Sequence, residues 1–151
     1  MLNTKKVYLI FLDFVRKQGF SNYLLSSGIK VFLEKTSVAR YFDDIYATEF
    51  NYDNGLATSV KYSMSSKKKV EAIKDICLRN GLDDCQSIIY VGDGLTDYYA
   101  MEYVKSKGGR VIFIKNNSND DLADMKEVVD LFTSGDYSSD SEIVKYIKKI
   151  K

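Results

Sequence analysis

The sequence contains no histidine, no proline and no tryptophan. Without histidine there is no Ser-His-Asp or Cys-His catalysis and no His-bearing zinc site. Average proline usage of about 5% would place roughly seven in a chain of this size; turns fall to Gly, Asn and Asp instead. The two cysteines, Cys77 and Cys85, form no CxxC pair and suggest no disulfide framework. Neither sign of charge dominates: 22 Lys and Arg face 21 Asp and Glu, for a net charge of +1. Nothing global therefore favours nucleic acid or an acidic surface. The lysines of the KYIKKIK tail read as the wet side of an amphipathic helix, not as a nucleic-acid or membrane patch. No apolar run reaches the ~18–20 residues of a membrane span, and no A-x-A-like cleavage site follows the short apolar run Val7–Phe11. The expectation is a cytoplasmic, reduced protein. Any catalysis must run on carboxylates, hydroxyls, lysines or a metal.

What is present is 151 residues, 45% hydrophobic and 28% charged, the composition of one compact globular domain. Val7, Ile10, Phe11, Phe14 and Val15 share a helical face and predict a helix over Lys5–Gln18, ended by Gly19. Ser21–Ser26 reads as a strand, Ile29–Thr36 as a short helix and Asp44–Glu49 as a second strand. Asp53-Asn54-Gly55 predicts a hairpin joining Glu49–Tyr52 to Leu56–Tyr62. Val70, Ile73, Ile76 and Cys77 mark a helix over Lys67–Asn80, stopped by Gly81. Ser87–Val91 and Arg110–Ile114 are continuous apolar runs of the doubly buried kind, separated by a helix over Asp97–Ser106. Leu122, Met125, Val129 and Phe132 predict another helix, and Ile143, Ile147 and Ile150 a last one. Strands alternating with helices, apart from one hairpin, predict an α/β domain with a mainly parallel, Rossmann-like sheet flanked by helices. No repeat, low-complexity tract or linker divides the chain.

In open α/β sheets, ligands bind beyond the carboxyl ends of the strands. The polar residues there are Ser26-Ser27-Gly28 and Gly92-Asp93-Gly94-Leu95-Thr96-Asp97. Asp93 and Asp97, with glycines around the first, suit Mg²⁺, a hard cation that takes few protein oxygens. The bland alternative is a turn at Asp93-Gly94 and a dipole-favoured acid at Asp97. Ser26, Ser27 and Gly28 can cradle phosphate with hydroxyl and backbone N–H, or a serine can simply cap the next helix. Lys67-Lys68-Lys69 opens a helix against its dipole. It is either a solvated face or the source of a lysine for a phosphoryl group.

Taken in order, strand–Ser, Lys at a helix start and hydrophobic strand–GDGxxD resemble motifs II, III and IV of the haloacid dehalogenase (HAD) superfamily, in its phosphoserine-phosphatase-like branch. YLLSSG supplies Ser26 as the motif II hydroxyl. IIYVGDGLTD supplies Asp93 and Asp97 as the motif IV acids. Lys69 is favoured as the motif III lysine, over Lys68 and Lys67. YFDDIYATEF and the hairpin resemble the stretch this branch carries between motifs II and III. The resemblance implies an Mg²⁺-dependent phosphomonoester hydrolase acting on a small phosphorylated substrate. In that scheme Ser26, Lys69 and Asp97 are catalytic, Ser26, Ser27, Gly28 and Lys69 bind phosphate, and Asp93 and Asp97 hold the metal.

Motif I, a hydrophobic strand followed by DxDx(T/V), is not in this sequence. The nearest run, YLIFLD, ends at Asp13, with Val15 where a second aspartate would stand. Its helical period, and the short reach from Asp13 to Asn22, favour a helix over a strand with a parallel crossover. The motif I strand normally lies between those of motifs II and IV. Its absence leaves three expectations: those two strands pair directly, Val7–Phe14 fills the slot, or an upstream segment or second copy completes the sheet. The chain also has no room for a cap domain. Two functions follow: a HAD-like phosphatase or the C-terminal portion of one, or a degenerate HAD domain that binds phosphate, metal or a protein without turnover.

Overall fold

The computed structural model describes residues 4–115 and 125–150. The chain groups into two compact units, Met1–Lys68 and Lys69–Lys151. Each sheet has three strands, in the orders β1-β2-β3 and β4-β5-β6.

The first unit opens with helix α1 (Thr4–Lys17). Phe11 and Leu12 are its buried residues, and the Phe11 ring lies 6.5 Å from those of Tyr8 and Phe14. Strand β1 (Tyr23–Ile29) runs parallel to β2 (Asp44–Asp53), from Tyr23↔Asp44 to Ser26↔Ala47. The ladder breaks at Ser27 and Gly28 and resumes at Ile29↔Thr48. A four-residue helix α2 (Lys30–Leu33) and a 3₁₀ turn (Ala39–Tyr41) connect the two strands. β2 continues into an antiparallel hairpin with β3 (Leu56–Tyr62). At its tip Asn54 and Gly55 take φ of 48° and 83°, the left-handed pair that a two-residue hairpin turn requires.

Helix α3 (Ser66–Arg79) leads into the second unit. Its stop at Gly81 has φ 65°, and the Leu82 amide donates back to the Cys77 carbonyl, the closure expected of a glycine-ended helix. Strands β4 (Ile89–Gly92), β5 (Arg110–Lys115) and β6 (Leu131–Ser134) are all parallel. Helix α4 (Tyr98–Ser106) packs on β4 and β5, and α5 (Glu142–Ile150) on β6. Val111, Ile112, Phe113, Met101, Val104 and Ile143 are fully buried and make this unit's core. Gly109 admits α4 to the sheet: a Cβ there would lie 2.4 Å from Val104 Cγ1 and 2.7 Å from the Cys85 carbonyl oxygen. No helix among the described residues is long and apolar enough to cross a membrane.

Expectations change at several points. The run Val7–Phe14 is helical and fills no sheet slot. Within the first unit β1, which carries Ser26, pairs with β2, and within the second β4, which precedes Asp93, pairs with β5. The helix expected over Ile29–Thr36 shrinks to Lys30–Leu33, because pairing with Thr48 holds Ile29 in the strand. Ile29, not a serine, is therefore the residue before α2. Finally, Phe132 lies on a strand rather than a helix. Its ring sits 5.9 Å from that of its ladder partner Phe113, and this cross-strand packing outweighs the helical spacing. Leu122 lies outside the described residues. Val91 is also exposed where a doubly buried strand was expected. β4 is an edge strand among the described residues.

Glu49 joins the strand pair to the hairpin through Lys61 at 3.0 Å and Lys30 at 3.3 Å. The Lys61 hydrogen bond, with Lys30 adding to it, holds the Glu49 carboxyl below its usual value against an opposing effect of burial. A depressed carboxyl contributes stability above its unfolded pKa and loses it as pH falls through the lower folded value. Glu49→Gln should thus cost less than about 1 kcal/mol at pH 7, the scale of exposed ion pairs. Its urea midpoint should then fall less than that of the wild type as pH drops below about 4.5. Parallel acid profiles would show that the two ion pairs contribute nothing.

Candidate functional site

The second unit places its chemistry at the carboxyl end of β4. After Gly92 the chain passes through Asp93 and Gly94 into a 3₁₀ turn, Leu95–Asp97, which runs directly into α4. The turn closes on itself. Asp97 N–H donates to the Gly94 carbonyl at 3.0 Å. In return Asp97 Oδ2 accepts from the amides of Asp93 and Gly94, at 3.3 and 3.2 Å. Its other oxygen, Oδ1, accepts from Lys69 Nζ and from the Tyr90 hydroxyl, both at 2.6 Å. An ionised carboxylate offers about four lone-pair sites, and all four are taken here.

Helix periodicity brings Lys69 to this carboxylate. Lys69, Ala72, Ile73, Ile76 and Cys77 form one buried stripe on α3. Of the three consecutive lysines only Lys69 falls on it. Lys67 is exposed, and Lys68 lies over the Tyr62 ring at 5.9 Å. The Lys69 side chain is 7% exposed and that of Asp97 8%. A buried pair of this kind is costly to break from one side, about 3–5 kcal/mol. Lys69 makes one hydrogen bond among the described residues, to Asp97. An ammonium has three donors, so two remain for a ligand.

Tyr90 is the residue that the sequence reading passed over. Burial, reinforced by the neighbouring Asp97 charge, pushes its hydroxyl well above the usual tyrosine value. It therefore stays protonated and donates. Its signal in the sequence was a phenol in the aliphatic run SIIYV, since a buried tyrosine hydroxyl needs a partner.

The Asp93 side chain stands exposed beyond the strand. Ser26 lies in the first unit, where its Oγ accepts from the Gly28 amide at 3.1 Å. The Gly28 N–H is therefore committed within its own turn, and the Ser27 carbonyl accepts from Thr48 Oγ1 at 3.0 Å. Asp13 sits on α1, 2.6 Å from Lys17 one turn away, and ends no strand.

Magnesium is the metal that the motif resemblance implies, and the described residues do not make up a site for it. No group of three His, Cys, Asp or Glu side chains converges among the described residues. The expectation that Asp97 ligates the metal does not match this geometry, because its lone pairs are filled by Lys69, Tyr90 and two amides. Asp93 is the carboxylate of the pair that faces outward.

A model of the haloacid dehalogenase-like hydrolase family matches residues 3–102. The chain belongs to that family. The matched span contains Ser26, Lys69, Asp93 and Asp97. Solved structures agree in fold. A substrate-bound phosphoserine phosphatase complex superposes with a TM-score of 0.64 at 18% identity, over 95% of this chain and 62% of that one. A HAD family hydrolase from Salmonella enterica serovar Typhi gives 0.62 at 20% identity, over 82% and 40%. Cytosolic 5'-nucleotidase IIIB bound to cytidine gives 0.61 at 16% identity, over 97% and 55%. The chain thus spans less than two thirds of the length of each. No curated protein matches the sequence.

Within this HAD fold the two motif glycines are not equivalent. A Cβ on Gly92 would lie 2.6 Å from Met101 Cε and 2.8 Å from Asp97 Cγ, whereas one on Gly94 meets nothing closer than 3.7 Å. Gly92→Ala should therefore destabilise by about 1–3 kcal/mol, the cost of overpacking, by displacing the Asp97 carboxylate. Gly94→Ala should remain within about 0.5 kcal/mol of wild type. Chemical denaturation of both variants checks the contrast, and equal losses would contradict it.

Proposed function

We propose that this chain is the phosphate-anchoring part of an Mg²⁺-dependent HAD phosphomonoester hydrolase acting on a small phosphorylated substrate. One observation supports this above the others. A buried ammonium stands at the carboxyl end of a parallel sheet with two donors open among the described residues and a counter-ion that cannot take more. Fixed positive charge of that kind is what phosphoryl transfer requires, because charge accumulates on the equatorial oxygens. By motif order, the Ser26-Ser27-Gly28 stretch of the first unit is a second candidate for holding phosphate. Asp93 is the exposed loop carboxylate that we assign to magnesium. The nucleophile and the remaining metal ligands belong to a DxD strand that this sequence does not contain. Among the described residues one flank of β4 has no ladder, and Val91 is exposed on that strand, which supports completion of the sheet by a further strand. An upstream segment would supply the DxD strand, whereas a second copy would complete the sheet without it.

A second reading has one observation in its favour. Asp13, the nearest approach to a nucleophile, is paired with Lys17 on a helix. A degenerate HAD domain that holds phosphate or a protein without turnover would need nothing more than the anchor.

Calorimetric titration with inorganic phosphate tests the anchor. Lys69→Gln should weaken binding at least about tenfold, the loss of one charged hydrogen bond, while Lys67→Gln leaves it unchanged. Undiminished binding by Lys69→Gln would remove the basis of both readings. Supplied with an upstream DxD-bearing strand, the chain should release p-nitrophenol from its phosphate in an Mg²⁺-dependent way that Asp93→Asn abolishes, which selects the hydrolase. Phosphate binding with no release even then selects the second reading.

A further inference from the structure

Asp97 Oδ1 has two donors at the same distance, 2.6 Å, and they differ in kind. Lys69 is a charged group on a flexible four-carbon stem whose protons can turn to another acceptor. Tyr90 is a neutral phenol on a rigid ring, itself buried at 8% exposure and rooted in β4. At 2.6 Å its bond has the length of a hydroxyl donating to an ionised carboxylate. The acceptor they share is the clasp of the loop, because Asp97 Oδ2 holds the Asp93 and Gly94 amides.

An anion arriving at Lys69 competes with Asp97 for the same ammonium. If Lys69 alone held Asp97, each binding event would loosen the carboxylate and with it the turn that presents Asp93. A second donor removes that conflict. We propose that Tyr90 is a positioning residue: it keeps Asp97, and through it the Asp93–Gly94 turn, in place while Lys69 turns toward an anionic ligand. The part of this that concerns the ligand rests on the reading of Lys69 as a phosphoryl anchor. The part that concerns the turn does not. The phenol suits the task because it brings no charge of its own. The Lys69–Asp97 pair stays balanced, and the phenol's raised pKa keeps its proton in place across ordinary pH.

Tyr90→Phe removes one oxygen and keeps the ring, so the fold should survive it. Amide hydrogen exchange followed by NMR is the readout, with phosphate titration alongside. In Tyr90→Phe the Asp93 and Gly94 amides should lose about tenfold in protection, while those of Val111–Ile114 in the core strand keep theirs. Saturating inorganic phosphate should deepen the loss at Gly94 in the variant and leave the wild type unchanged. Phosphate affinity should fall about tenfold in the variant. Unchanged Gly94 exchange overturns the proposal. So does a uniform loss that includes Val111–Ile114, since that reports general stability and no positioning. If the wild type binds no phosphate but the Gly94 effect is present, the anchor reading of Lys69 fails and the role of Tyr90 in holding the turn stands.

Discussion

A single carboxylate organises the end of β4. Asp97 is buried, and a buried charge is tolerated only when its hydrogen-bonding capacity is met. Four donors from three parts of the chain meet it: a helix lysine, a strand tyrosine and two loop amides. Each donor is thereby fixed in return. The lysine is drawn into an apolar stripe where it would otherwise be unstable. The loop after the strand is closed without a proline. Gly92 must lack a side chain because the carboxylate lies against its Cα. The GDGxxD pattern is legible physically as the geometry that lets one acid tie a strand, a turn and a helix start together.

That arrangement separates the two acids of the motif. They look equivalent in sequence, four apart in one loop. In the structure one is an internal counter-ion with no capacity left, and the other is exposed. Spacing alone cannot distinguish them, because the distinction depends on Lys69 and Tyr90, 28 and 7 residues away in the chain.

Much of the fold was legible because local periodicity and tertiary demand agreed. The stripe on α3, the Asn54-Gly55 turn and the buried β5 run are cases where one signal sufficed. Lys69 could be chosen among three lysines by the same stripe. The failures share a cause. The spacing of Phe132 from Leu122 and Met125 predicts a helix, but a ring tilted against Phe113 across a parallel ladder decides its place. Ile29 was read as helix because serine and glycine before it resemble a cap, but pairing with Thr48 keeps it extended. Tyr90 was absorbed into an apolar run because its hydroxyl has meaning only beside Asp97. Long-range partners carry no mark in a single sequence, and edge strands such as β4 look central when their residues are apolar.

The hairpin carries a further consequence. β3 is exposed along nearly its whole length, with Leu56 and Val60 among the most exposed apolar residues, and its outer side has no ladder among the described residues. An open apolar edge, if flat and regular, invites fibrous stacking of one molecule on the next. Two register shifts, at Glu49/Phe50 and Asn51/Tyr52, interrupt the ribbon, and bulges of this type coil a hairpin away from planarity. Lys61 adds a charge near its base. Irregular pairing in the ribbon thus breaks up the regular ladder that a neighbouring molecule would need in order to extend the sheet.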